Sequence, residues 1–158
     1  MSRLLPFLAL IVATLGGCAS GPRVSPAERL AVLEAHAGEP VNSIRHPGRF
    51  SGWSSVGSSA LVLHTRPSEA FLLDLTGPCS DLPFAHAIHV SSRAGSIASR
   101  FDYVLPMGPG TSSIRIRCHI RSIRPLDVAA LRQSQQELRE ATSIEREDDP
   151  AQQEASGD

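Results

Sequence analysis

Ala60-Leu-Val-Leu-His-Thr-Arg-Pro-Ser-Glu-Ala-Phe-Leu-Leu-Asp-Leu75 reads as two strands and the turn between them. Ala60 to Thr65 and Glu69 to Leu75 are the strands, and they flank Arg66-Pro67-Ser68. Proline pre-sets the backbone angle required at the second position of a tight turn. Leu61 and Leu63 share one face; Phe71, Leu73 and Leu75 share another. Period-two spacing places side chains alternately on the two sides of a sheet, so the segment predicts an antiparallel hairpin.

The same alternation recurs downstream. Along Ile114 to Ile123, the residues Ile114, Ile116, Cys118 and Ile120 face one way and Arg115, Arg117, His119 and Arg121 the other. Ile123 is out of phase with Ile120, which predicts a bulge near Arg121-Ser122. Further strands are expected at Phe50 to Val56, at Ala87 to Ser91, and where Phe101, Tyr103 and Leu105 alternate. Thr76-Gly77-Pro78-Cys79 turns the chain out of the sheet, and Pro106-Met107-Gly108-Pro109-Gly110 is a loop. Ser25-Pro26-Ala27-Glu28 carries a helix start: Ser25 can cap, Pro26 suits the first helical position and Glu28 completes a capping box. Gly38 and Pro40 end that helix. A second begins at Pro125-Leu126-Asp127, with Val128, Leu131 and Leu138 at helical spacing and Gln135 interrupting the stripe. Strands and helices do not alternate as a parallel sheet would require. The expected fold is α+β, mainly β: a strongly curved antiparallel sheet or small barrel of about five or six strands with one or two flanking helices.

Residues 1–17, MSRLLPFLALIVATLGG, have the form of an export signal. Arg3 supplies the positive start, and Leu4 to Leu15 form an uncharged run shorter than the roughly 20 residues of a transmembrane helix. The run ends in Leu15-Gly16-Gly17-Cys18, which resembles the lipobox of bacterial lipoproteins. Small residues let the extended backbone enter the peptidase site, and the thiol of Cys18 takes the lipid. More than one acyl chain on a residue anchors stably where a single chain binds only marginally. An ordinary signal peptide or an uncleaved membrane anchor is the other reading. Ala19 after the cysteine, by resemblance to known lipoproteins, implies the outer membrane, facing the periplasm. The expected organisation is a signal peptide over 1–17, a tether over 18–24, one β-rich domain with a helix near each end over 25–141, and an acidic, disordered tail over 142–158.

Hydrophobic residues make up 41% of the 158, enough for one small domain. Every cationic side chain other than histidine is arginine; the chain has no lysine. Without residues 1–17 the balance is 14 arginines against 16 acids. The segment from Glu137 to Asp158 has eight acids and two arginines, leaving the body from Cys18 to Gln136 at +4. A mildly basic body with an acidic tail and 4% aromatics is not the footprint of a nucleic-acid binder. Cys79 and Cys118 remain once Cys18 is set aside for lipid. An oxidising compartment favours their pairing, which by the chain-entropy model would stabilise the fold by roughly 4 kcal/mol. Two free buried thiols is the alternative, and the spacing matches no paired metal-ligand pattern.

Trp53, Thr65-Arg66-Pro67, Leu72-Leu73-Asp74-Leu75, Gly77-Pro78-Cys79 and Phe84-Ala85 together resemble an uncharacterised family of exported proteobacterial proteins. Phe101-Asp102, Cys118-His119-Ile120 and Ile123-Arg124-Pro125-Leu126-Asp127 extend the likeness across roughly residues 40–135. The resemblance implies the two-cysteine pairing and an all-β or α+β domain. It implies no reaction, and a fold shared within a family would not supply one.

Candidate chemistry is sparse. His86 and His89 are three apart, so on a strand they point to opposite faces and would not chelate one ion, whereas on a helix they could; His64 and His119 lie elsewhere. No metal or other cofactor is expected. Gly52-Trp53-Ser54-Ser55-Val56-Gly57 lacks the glycine two residues after the serine that a nucleophile elbow needs. Gly108-Pro109-Gly110 lacks the third glycine of a dinucleotide fingerprint and precedes a strand. Arg124 and Asp127 could pair at the start of the last helix. The stripe of Arg115, Arg117, His119 and Arg121 is the best binding candidate, because guanidiniums on one face suit phosphate or carboxylate. A solvated outer face is its plainer explanation.

The leading expectation is a non-enzymatic lipoprotein of the cell envelope, held to the membrane by its N-terminal lipid and binding an envelope protein or anionic envelope component. A small hydrolase or carbohydrate-active enzyme, with a cleft near Trp53 using Asp74 or Asp102, is the rival. A dedicated anion-ligand binder using the arginine stripe is the third reading.

Overall fold

The computed structural model describes residues 24–147, with 47 and 113 set aside. The expected signal peptide, Cys18, the tether up to Arg23 and the tail beyond Glu147 lie outside the described residues. Ten elements follow in order: α1 (Pro26–Ala35), β1 (Ser43–Arg45), β2 (Gly52–Val56), β3 (Ala60–Arg66), β4 (Glu69–Leu75), β5 (Ala87–Val90), β6 (Ser96–Ala98), β7 (Tyr103–Met107), β8 (Cys118–Leu126) and α2 (Val128–Glu147). A 3₁₀ turn at Leu82–Phe84 sits between β4 and β5. Six strands form one antiparallel sheet in the order β2-β3-β4-β8-β7-β5, curled into a half-barrel, while β1 and β6 pair as a separate ribbon. The fold is mainly β with two helices, as the patterning predicts.

The hairpin at the centre is β3–β4. Its register sets Leu61 opposite Leu73 and Leu63 opposite Phe71. The two leucines and the Phe71-Leu73-Leu75 set therefore share one face, where separate faces were expected. That face builds the main core with Ile120, Ile123, Val104 and Val90 from the sheet and Ile44 and Ile97 from the ribbon. Val62, Ala70, Leu72 and Leu126 point the other way and bury against Leu33 of α1, with Val128 and Leu131 of α2 packed alongside. Both faces of β4 are covered, so every residue from Ala70 to Leu75 is buried. Arg66 and Glu69 close the hairpin as an ion pair, and Thr65 Oγ1 donates to the same carboxylate.

In β8, Asp74 pairs with Ser122 while Leu75 pairs with Ile120, leaving Arg121 as the extra residue. This is the bulge the sequence predicts. It resets the alternation, so Ile120 and Ile123 both face the core although they are three apart. β8 starts at Cys118, however, and Ile114 and Ile116 are 73% and 58% exposed. The expected inward set is thus confined to Cys118 and Ile120. β7 pairs with β8 only through Tyr103–His119 and Val104–Cys118, so the chain before Cys118 runs past the end of the ladder.

The phase of β7 also differs from expectation. Val104 and Pro106 are buried, Tyr103 and Leu105 are half-buried, and Phe101 precedes the strand at 69% exposure. Pro125 and Leu126 stay in β8, opposite Phe71 and Ala70, so the last helix begins at Val128. That helix reaches Glu147, past the expected domain end at 141, through residues such as Ala141 and Glu145 that favour helix. α1 forms as predicted: Ser25 and Glu28 exchange both bonds of a capping box behind Pro26. Cys79, after β4, forms a disulfide with Cys118 at the start of β8, with 5.8 Å between Cα atoms.

Candidate functional site

Arg115 and Arg117 lie in the irregular segment before β8, whereas His119 and Arg121 lie on the strand. The four residues therefore do not form a stripe on one strand face, because no partner strand extends far enough to order the first two. All four are exposed. Tyr103 gathers two of them: the Arg117 guanidinium carbon lies 5.0 Å from its ring centroid, and its ring meets that of His119 at 6.0 Å in a T-shaped arrangement. Cross-strand pairing of Tyr103 with His119 fixes this geometry.

A residue that sequence reasoning missed joins them. Arg100, in the turn between β6 and β7, has a φ of +69° and donates its amide to the Ile120 carbonyl at 2.7 Å. Arg100, Arg117 and His119 line one shallow cleft beside the disulfide, together with Ile116 and Pro78. Arg100 also lines the adjoining cleft, with Arg121, Phe101 and Asn42. Arg115 lines neither cleft. A single arginine in a turn leaves no periodic signal, so only the folded chain brings Arg100 to this surface.

Among the described residues no carboxylate lies within ion-pair distance of Arg100, Arg115, Arg117 or Arg121. Other arginines are paired: Arg66 with Glu69 at 3.2 Å, and Arg124 with Glu34 at 3.0 Å. The clefts thus hold unneutralised guanidiniums beside the exposed Phe101 and Ile116. Such a surface offers forked donors to phosphate or carboxylate groups and apolar area to the carbon skeleton that carries them.

The remaining candidates have structural partners. Asp102 is buried and accepts from Ser91 Oγ at 2.6 Å and from the Ala98 amide at 2.8 Å. Asp74 is buried and accepts from Ser122 Oγ at 2.5 Å. Trp53, opposite Leu63, packs half-buried against the main core, on the opposite side of the sheet from Asp74. Arg124 does not meet Asp127; it reaches Glu34, with Asp74 3.6 Å away, while Asp127 caps α2 by accepting from the Ala130 amide. His86 and His89 are both exposed, and among the described residues no three His, Cys, Asp or Glu side chains gather as a metal site. Gly108-Pro109-Gly110 is a close-packed loop: a Cβ on Gly110 would lie 2.9 Å from the Phe84 carbonyl oxygen. Among the described residues no helix is long and apolar enough to cross a membrane.

No curated protein and no solved structure matches the chain. Residues 1–142 match the model of a family described as Family of unknown function (DUF6491), and the chain belongs to that family.

Proposed function

We propose that this member of a family of unknown function is a lipid-anchored, non-enzymatic binding module of the bacterial envelope. Its place is the outer membrane, facing the periplasm, and its cationic face takes an anionic envelope component. The anchor rests on Leu15-Gly16-Gly17-Cys18 at the end of an uncharged apolar run. The binding role rests on one observation: Arg100, Arg117 and Arg121 converge on two adjoining clefts without a carboxylate partner among the described residues, next to Phe101 and Ile116. Arginine, with its planar fork and weak hydration, suits phosphate recognition at a partly apolar surface.

The test uses the chain from residue 18 with Cys18→Ser, so that binding reports the face and not the lipid. It should float with vesicles of phosphatidylcholine and phosphatidylglycerol, and not with phosphatidylcholine alone. A basic side chain near an anionic bilayer contributes about 1 kcal/mol, so R100A/R117A/R121A should weaken binding by about two powers of ten. Equal flotation on both vesicles, or a triple variant that binds as before, overturns the proposal. The mass of the N-terminal peptide of the untouched protein tests the anchor separately, and an unmodified Cys18 refutes it.

A further inference from the structure

On the side of the sheet away from the main core, α1 and α2 leave a groove of about 480 Å³ between them. This volume falls within the range of small-ligand sites, roughly 300–1,000 Å³. Val62 and Leu126 of the sheet, Val32 and Leu33 of α1 and Leu131 of α2 line it with apolar surface. Of its polar lining residues, Arg29, Ser54, Arg132 and Gln135 are exposed and so edge it, while His64 of β3 is half-buried. Val24, the first described residue, lines the same groove. Whatever precedes Val24 in the chain starts from this surface.

We infer that the groove houses an acyl chain carried by Cys18 when the protein is away from a bilayer. The inference rests on the lipid anchor proposed above. Cys18 lies six residues before Val24, so even a fully extended tether reaches only about 20 Å from the groove. A ligand on so short a tether is present at an effective concentration in the millimolar range, ahead of any free competitor. The groove is half-open, as an occupant that must leave for a membrane requires. Polar side chains at its edge, and His64, can face the glycerol esters, while the apolar floor of Val62, Ala70 and Leu126 takes hydrocarbon. The cationic clefts are separate from it: they share no lining residue with the groove. Anchoring and anion binding are therefore assigned to different surfaces.

The probe is dansyl-undecanoic acid, whose fluorescence rises in an apolar site. Two full-length mature forms are compared in detergent-free buffer: the lipidated protein purified from membranes, its acylation verified by mass, and the Cys18→Ser form. The Cys18→Ser form should bind the probe saturably, and the lipidated form at least about tenfold more weakly. Val32→Glu places a charge in the groove at a position 38% exposed, so the fold should survive, as circular dichroism would verify. In the Cys18→Ser background it should weaken probe binding by about tenfold or more. Equal binding by the two mature forms, no binding by Cys18→Ser, or indifference to Val32→Glu overturns the inference while leaving the anchor standing. An unmodified Cys18 removes both.

Discussion

Arg117 lies over the face of Tyr103, its guanidinium carbon 5.0 Å from the ring centroid. The ring is itself held by the pairing of Tyr103 with His119 across β7 and β8. A side chain from an irregular segment is thus positioned by a rigid sheet. The contact orients the guanidinium without neutralising it, because an aromatic face attracts a cation but carries no net charge.

Removing that platform should weaken anion binding without unfolding the protein. Tyr103→Leu should lower affinity for phosphatidylglycerol vesicles several-fold, matching the 0.5–1 kcal/mol, roughly, of an exposed cation–π contact. Tyr103→Phe keeps the ring face and should bind like the parent. Flotation of the two variants at equal lipid checks the split, and equal loss in both would show that the hydroxyl, and not the face, matters.

The disulfide should be a large part of the domain's stability. Cys79 and Cys118 are 39 residues apart, and the chain-entropy model assigns a loop of that size about 4 kcal/mol. The double variant Cys79→Ser/Cys118→Ser should show a much lower denaturant midpoint, and reductant should lower the parent's midpoint in the same way. A midpoint unchanged by either would mean that the closed loop adds nothing to folding.

Much of this architecture was legible because the alternation was strong and local. Ala60 to Leu75 predicts its hairpin from one turn proline and two apolar runs, and the Ile120–Ile123 phase slip marks its own bulge. Ser25 and Glu28 predict the cap three residues apart. The misreadings share a cause: alternation in sequence does not show whether a partner strand is there. Ile114 and Ile116 carry the pattern of a buried face but lie beyond the last pairing of β7, at Tyr103 and Val104. Phe101 and Tyr103 suggest a phase through their size, yet Val104 and Pro106 are the residues that bury. The three-residue strands β1 and β6 are too short to show a period at all. Arg100 reaches the cationic surface only through a turn, and contacts of that kind are non-local.

The buried Asp74 should matter more than the ion pair nearest it. Asp74 accepts from Ser122 Oγ, and Arg124 stands 3.6 Å away while bonding Glu34 at 3.0 Å. Asp74→Ala strands a hydroxyl and uncovers a guanidinium in a half-buried setting, which should lower stability by about 2–3 kcal/mol. Glu34 is half-exposed, so Glu34→Ala should lower it by less than about 1 kcal/mol. Urea denaturation of both variants gives the comparison; a larger loss for Glu34→Ala would reverse this ranking.

The cap of α1 should respond to acid. Glu28 accepts from the Ser25 amide at 2.6 Å, and this bond, with the Ser25 side chain, holds the carboxyl below its ordinary value. A lowered carboxyl pKa adds stability above the unfolded-state value, and that stability is lost as pH falls through the folded value. NMR titration should place the Glu28 midpoint below that of glutamate in an unfolded peptide, and Ser25→Ala, which removes the hydroxyl but keeps the backbone amide, should move it only part of the way back. A midpoint at or above the peptide value would contradict the capping box in solution.

Deleting Arg121 should be tolerated where deleting its neighbours is not. Arg121 is the extra residue between the Ser122–Asp74 and Ile120–Leu75 pairs. Without it, Ile120 and the present Ile123 would stand two apart in a regular strand, and both would still face the core. Loss of Ile120 or Ser122 instead would remove a core side chain or the hydroxyl that serves Asp74. The Arg121 deletion should therefore keep the parent's circular dichroism and most of its thermal midpoint, while the Ile120 deletion should unfold. The bulge would then exist for what it presents. It sets an arginine beside Arg100 and Phe101, so the deletion should bind phosphatidylglycerol vesicles more weakly by roughly the factor of one lost cation, about fivefold. A folded deletion that binds as well as the parent would place Arg121 outside the binding face and leave the bulge to curl the sheet.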